Sequence, residues 1–333
     1  MLKPNKVQHE CSNSAGSNCS FAVLNYHRVM PIHTFWNEQV LDVGVFEQQL
    51  QQLKRFFRVL SLEQALQLAA AGKVPTNAVV ITIDDGFADC YDHIFPLLQR
   101  YQLPATFFIS TQGLQQGYLW ENQIANAILQ APVEITMLKL QDRNFASNGK
   151  TERHQSIVAI TDLIKYHPMA QRNLLIADLI AQTGVPQMHH EFVTAEQLKQ
   201  MAAAGMTIGA HTVHHPILAL ESAETARQEI AQSKAILEQI LAQPVHYFAY
   251  PNGKFAIDFS DEHVAQVRDS GFAAAFCTDW GQARPTQDCR FRLRRFTPWD
   301  RNPWFFSLRL ALHIVAERYS IRFLKEWVGT HGN

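Results

Sequence analysis

Two adjacent carboxylates, Asp84 and Asp85, and two histidines four residues apart, His211 and His215, are the side chains whose types and spacing best suit chemistry. Two neutral imidazoles and one carboxylate make a three-ligand site for a divalent metal, Zn2+ first among the candidates, with a further position left open. Water in that open position has its pKa lowered to about 7, which supplies hydroxide at neutral pH. Adjacent aspartates can then divide the work. One bound to the cation stays ionised, and its neighbour is free to take a proton from the water. Each pattern also has a plainer reading. Asp84-Asp85-Gly86 is equally an Asx-type turn with solvated acids, and His211 and His215 equally a pair capping a helix near Pro216. The metal reading expects one helical turn after a strand, placing both imidazoles on one side.

The elements that must carry these residues are strands. Ala78 to Ile83 is a run of β-branched apolar residues, the composition of a strand buried on both faces, and Gly86 can take the tight turn off its end. Along a strand the two aspartates would point to opposite sides, so a turn at Gly86 is needed to bring both to one cavity. Phe21 to Tyr26 reads as a first strand ending at His27, and Met206 to Ala210 as one delivering His211. Val245 to Tyr250 reads as another, ending in Pro251-Asn252-Gly253. Four strands thus end in polar, chemically competent residues, where α/β folds collect their active sites.

Around them the chain alternates strand and helix. Val45–Phe57 has helical spacing, Ser61 and Gln64 make a capping box, and Ala105–Ser110 is a further buried strand. Thr194 with Gln197 opens a helix that Gly205 stops, Glu221–Leu241 is a long helix, and Phe272–Thr278 is a strand. Arg292–Phe296 is one more short strand. About seven β/α units follow, and a closed barrel is the expected architecture. Residues 111–190 break the rhythm with helical pieces (Glu121–Leu129, Gln155–Tyr166, Leu174–Ile180) and a loop-like stretch at 141–149, and read as an insertion over one end of the barrel. Residues 1–20 read as a disordered leader, 21–300 as the barrel domain, and 301–333 as a helical tail. Within that tail Trp304–Trp327 is amphipathic. Its apolar part, Trp304–Ala316, contains Arg309 and is too short to span a bilayer, but Arg309, Arg318, Arg322 and Lys325 could sit near headgroups of a membrane surface.

The chain has 333 residues with a formal net charge of -1, which gives no basic stripe for nucleic acid. Five cysteines without a CxxC pair, and no apolar h-region near Met1, lead to the expectation of a reducing, cytoplasmic setting.

Thr82-Ile83-Asp84-Asp85 and His211-Thr212-Val213-His214-His215 resemble the first two motifs of the polysaccharide deacetylases, the NodB-homology or carbohydrate esterase family 4 group. The resemblance covers about Ser20 to Phe296, apart from 111–190, and implies an irregular (β/α)7 barrel. It implies Asp85, His211 and His215 as metal ligands and Asp84 as the base. In the family a third-motif backbone N–H stabilises the oxyanion, here that of Asn252. The usual third motif Arg-x-Pro-Tyr is replaced by Ala249-Tyr250-Pro251-Asn252, so the arginine that normally pairs with the base is missing. Arg295, or Arg292 beside it, is the candidate to orient Asp84. The usual Leu-x-His is absent too, since Leu293 is followed by Arg294 and Arg295. Tyr26-His27 and Tyr250-Pro251-Asn252-Gly253 resemble the poly-N-acetylglucosamine deacetylase branch, in which the N-terminal histidine is the acid. His27 takes that role by resemblance, against the alternative of a buried histidine satisfied by backbone. Asp279-Trp280 resembles the fourth motif, whose Trp lines the acetyl pocket.

The resemblance therefore implies a metal-dependent hydrolase that removes acetyl from N-acetylated amino sugars, in a polymer or a lipid-linked precursor. A deformylase or other C–N amide hydrolase of the same fold is the first alternative. A non-catalytic carbohydrate-binding relative is the second.

Overall fold

A computed structural model describes residues 19–31, 40–285 and 290–318. The leader through residue 18, and the tail beyond Arg318 with Arg322 and Lys325, lie outside the described residues. Seven parallel strands form the barrel: β1 (Ala22–Tyr26), β2 (Ala78–Ile83), β3 (Thr106–Ile109), β4 (Thr207–Ala210), β5 (Tyr247–Ala249), β6 (Ala274–Trp280) and β7 (Leu293–Arg295). They pair in that order, and β7 returns to β1 through a parallel bridge between Leu24 and Phe296. Backbone bonds from Asn25 N–H to Phe296 O and from Phe296 N–H to Val23 O close the ring. The architecture is thus a nearly closed (β/α)7 barrel, as the strand count and the resemblance implied.

Alternation along the strands assigns two layers. Val23, Val80, Phe108, Ala249, Phe276 and Leu293 fill the barrel interior, and helix α2 (Leu62–Ala70) adds Leu62, Ala65 and Ala69 to the same cluster. Leu24, Val79, Ile81, Phe107, Ile109 and Phe248 face outward onto the surrounding helices. These are α1 (Val43–Phe56) and α3 (Phe95–Tyr101) in the first half. Toward the carboxyl ends the interior turns polar: Thr82, Asp84, His211 and Arg295 are all buried there. A closed apolar plug below and a polar layer above confine chemistry to one mouth of the barrel.

The insertion contains α4 (Thr111–Gln116), α5 (Trp120–Leu129), α6 (Lys150–Lys165) and α7 (Met169–Thr183). It has its own apolar cluster, with Trp120, Ile124, Ile128, Ile157, Ile160, Ile164, Ile176 and Leu179. The stretch expected to be loop-like, 141–149, contains the turn and second strand of an antiparallel hairpin, Met137–Leu140 with Arg143–Ala146. Its polar residues hid a strand pattern in which Leu138, Leu140 and Phe145 alternate onto the insertion's core. Beyond it come α8 (Ala195–Ala203), α9 (Ala223–Leu241), α10 (Asp261–Asp269) and α11 (Pro303–Arg318).

The helix between β2 and β3 begins as a π-turn, Cys90–Ile94, and becomes α-helical only at Phe95, where Pro96 in the first turn has no N–H to give. One boundary differs from expectation. Strand β5 is shorter than the apolar run suggested, because Val245 N–H is taken by Glu238 Oε1 at 3.0 Å and not by a neighbouring strand. Helix α11 buries Phe306, Leu310 and Ile314 and exposes Trp304, Phe305 and Leu308. Among the described residues no helix is long and apolar enough to cross a membrane.

Candidate active site

Asp84 leaves β2 with its backbone N–H on Tyr26 O, 2.9 Å away, and its side chain inside the barrel. Asp85 then adopts φ 75°, a left-handed conformation that few side-chain-bearing residues accept. Gly86 continues the turn at φ +99°, and a Cβ there would press on Ile109 and Phe192 at 3.1 Å, which is why glycine is required. The Asp85 twist resolves the alternation problem, since it swings the second carboxylate back toward the same mouth. Thr212, His215 and Asn252, at φ 63°, 51° and 57°, are left-handed too. Such conformations cost on the order of 1–3 kcal/mol each, and they gather here at the ends of β2, β4 and β5.

The histidines do not sit on a helical turn. Residues 211–215 form a loop, and its left-handed residues, not helical periodicity, bring the two rings to 5.0 Å between centroids. His211 Nδ1 lies 2.8 Å from Ala249 O, an oxygen that can only accept, so Nδ1 carries the proton and Nε2 the lone pair. His215 Nδ1 lies 3.1 Å from Glu121 Oε1, with the same consequence. Both Nε2 atoms lie 3.5 Å from Asp85 Oδ1. His214, between them, turns outward to Glu229, whose other oxygen accepts from the N–H groups of Val213 and His214 at 3.0 and 2.8 Å.

Three lone-pair atoms therefore converge within 4.8 Å of one another. Asp85 Oδ1 is buried and takes no hydrogen bond from any described residue. Acceptors facing one another without a donor are repulsive unless a cation lies between them. Two ligands on a tetrahedral zinc, with bonds of about 2.0–2.1 Å, lie about 3.4 Å apart. The donor set and spacing fit such an ion. Burial pushes the Asp85 carboxyl up, but His211, His215 and His27 together outweigh it and hold it far below the usual carboxylate range. Burial likewise lowers His215, and Glu121 more than reverses that.

Arg295 reaches across from β7. Its Nη1 and Nη2 each lie 2.7 Å from one oxygen of Asp84, a bidentate pair with both side chains almost fully buried, while Nε donates to Cys277 O at 3.0 Å. Burial raises the Asp84 carboxyl, and the Arg295 guanidinium, with His211 and His27 adding to it, overrides that and leaves the group below its ordinary value. Arg292 goes elsewhere, stacking 4.2 Å from the centre of the Phe255 ring. His27 Nε2 is 4.0 Å from Asp84 Oδ2, and its side chain stays partly exposed at the mouth.

The remaining residues divide. Tyr250 is turned away from the site: its ring stacks on Phe259 at 3.7 Å and its hydroxyl donates to Phe291 O. The outward parity of a strand-end residue explains this, and a role for its side chain at the site is corrected. Pro251, Asn252 and Gly253 form the turn after β5, held by Thr278 N–H on Gly253 O and Thr278 Oγ1 on Asn252 O. The Asn252 N–H donates to no other described residue. Trp280 ends β6 packed on Phe296 at 4.3 Å and against His313 of α11 at 5.6 Å. Sequence reasoning missed Glu121, Trp120, Arg172 and Glu229. Glu121 is 94 residues from the histidine it touches, and nothing but the insertion's tertiary packing brings it there.

A parallel barrel with two carboxylates, two histidines and a buried arginine at its mouth gathers its chemically competent side chains where such barrels place their active sites, among them a group that could hold a metal ion. The polysaccharide deacetylase family model matches residues 71–275, and the chain belongs to that family. Polysaccharide deacetylases are hydrolases of C–N bonds other than peptide bonds. The chain is 22% identical over 225 residues to YxkH of Bacillus subtilis (strain 168), covering 68% of this chain and 53% of that protein. It is 33% identical over 108 residues to a poly-beta-1,6-N-acetyl-D-glucosamine N-deacetylase of Staphylococcus epidermidis, covering 28% of this chain and 37% of that one. The chain thus spans about half or less of the curated relatives it matches. Among solved structures, the Streptococcus pyogenes deacetylase PplD in complex with acetate aligns with a TM-score of 0.57 at 20% identity, covering 84% of this chain and 92% of that one. IcaB from Ammonifex degensii aligns with a TM-score of 0.56 at 19% identity, covering 86% and 97%. At these identities the structural likeness shows the fold alone.

Proposed function

We propose that the chain is a metal-dependent hydrolase that removes N-acetyl groups from N-acetylated amino sugars. The observation that carries this reading is the convergence of Asp85 Oδ1, His211 Nε2 and His215 Nε2, with the paired carboxylate of Asp84 next to them. Asp85, His211 and His215 would hold a divalent ion, Zn2+ by donor type. Such an ion supplies Lewis acidity, acidifying a water and polarising an amide carbonyl.

The chain's own residues do the rest. Asp84 accepts the proton of the attacking water, and Arg295 keeps that carboxylate ionised and fixed in one orientation. The Asn252 N–H, held by the left-handed turn that Thr278 braces, donates to the oxygen on which charge develops. His27, 4.0 Å from Asp84, hands a proton to the departing amine, which would otherwise leave as a high-energy anion. Trp280 stays the proposed wall of the acetyl pocket. His27→Gln is expected to lower kcat by about 10²–10³-fold at saturating zinc while the zinc affinity stays within a few-fold. Stopped-assay turnover alongside a zinc titration checks this, and unaltered kcat would remove His27 from the mechanism.

A screen of N-acetylated and N-formylated amino sugars, free, oligomeric and lipid-linked, tests the substrate. Acetate release from N-acetylglucosamine oligomers is expected. Formate release with no acetate would select the deformylase reading, and neither product from any donor would select a non-catalytic sugar binder. The exposed Trp304, Phe305 and Leu308 face of α11 is the proposed peripheral contact with a membrane surface. Cosedimentation with anionic vesicles that survives Trp304→Glu unchanged would reject it.

A further inference from the structure

The three proposed ligands are not supported alike. Asp85 and His211 are placed by the barrel itself, through the turn after β2 and the Ala249 carbonyl of β5. His215 is held from outside the barrel, by the insertion. Glu121, in the first turn of α5, faces its Nδ1 at 3.1 Å. Beside it, Trp120 Nε1 donates to His215 O at 3.4 Å. Arg172 of α7 donates from Nη1 to His215 O at 3.2 Å and from Nη2 to His214 O at 3.1 Å. The Arg172 guanidinium also lies 4.8 Å from the centre of the Trp120 ring, and the residue is only 4% exposed. Three insertion side chains thus grip one residue of the barrel, and that residue is in a left-handed conformation with φ 51°.

A lone imidazole at the end of a loop has two tautomers and a freely rotating ring, and only one arrangement aims a lone pair at Asp85. We infer that Glu121 is the positioning residue for His215, fixing the ring so that Nε2 faces Asp85 and His211, and that the insertion is thereby part of the metal centre. The inference rests on the metal reading given above. Glu121 is not a fourth ligand, because the two ring nitrogens point in different directions and it occupies the one that faces away from Asp85. It acts on the site only through His215. Outer carboxylates of this kind typically change metal affinity by 10–100-fold. The hairpin and helices of 111–190 then serve as the scaffold that keeps α5 in register, which explains why an inserted segment carries a well-packed core of its own.

The test is a competition titration of the full chain with Zn2+ against a chromophoric chelator, together with the visible spectrum of the Co2+ form. Glu121→Ala is expected to weaken zinc binding by 10–100-fold and to shift the Co2+ spectrum. Glu121→Gln, which keeps an acceptor for the Nδ1 proton, is expected to recover part of that loss. Thermal melting in excess chelator should be the same for both variants and the parent, separating a positioning role from a merely structural one. If Glu121→Ala binds zinc as the parent does while His215→Ala does not, Glu121 has no positioning role, although the metal reading survives. If the parent binds no zinc that His211→Ala abolishes, the metal reading itself fails and the inference falls with it.

Discussion

Asp84→Asn is expected to lower kcat/KM by about 10²–10⁴-fold while zinc binding stays within a few-fold of the parent. The substitution is nearly isosteric and leaves the three proposed ligands untouched, so the loss falls on proton transfer from water. It has a second consequence, because Arg295 is then a buried cation with no counter-charge, its side chain having 0% exposure. Breaking a buried pair from one side costs about 3–5 kcal/mol, so the melting temperature should fall as well. The double variant Asp84→Asn, Arg295→Met removes both charges. It should recover most of the stability and none of the turnover. A double variant as unstable as the single one would mean that the pair is not the source of the loss.

Arg295→Met alone is expected to cost about 10²-fold or more in kcat/KM, since the base loses both the charge that keeps it ionised and the fork that orients it. The sign of the pH effect follows from the environment of Asp84. Burial by itself raises that carboxyl, and Arg295 is the largest influence opposing it. Without the guanidinium the largest influence opposing burial is gone and the pKa rises, so the acid limb of the kcat/KM profile moves to higher pH. In the parent the folded-state pKa of Asp84 lies below the unfolded one. The stability it contributes is therefore present above the unfolded pKa and is lost as pH falls through the folded value. Arg295→Lys keeps a charge but not the bidentate geometry, and should fall between parent and Met. An unshifted acid limb in Arg295→Met would mean that something else holds the base.

What the sequence made legible was what local pattern encodes. The β-branched run before Asp84, the strand before His211 and the capping boxes at Ser61 and Thr194 all read directly, and the capping bonds are present. Arg295 was reachable because strands of a barrel converge at one end, so a cation near the end of the last strand has few places to go. The details that finish the site were not legible. Left-handed backbone at Asp85, Thr212 and His215 has no signature in residues that ordinarily avoid it, and the four-residue spacing of the histidines pointed to a helical turn that is not there. Tyr250 read as a site residue from its motif, but alternation along β5 sends its ring into the core beside Phe259. Glu121 and Arg172 were out of reach because their partners come from the insertion's packing, not from any periodicity.

The most direct test of the central claim is acetate release from N-acetylglucosamine oligomers by metal-stripped protein as Zn2+ is added back. The account predicts no release without metal, full turnover at one equivalent, and no recovery in Asp85→Ala or His211→Ala at that level. Turnover by the stripped protein, or recovery in those variants at one equivalent, would contradict it.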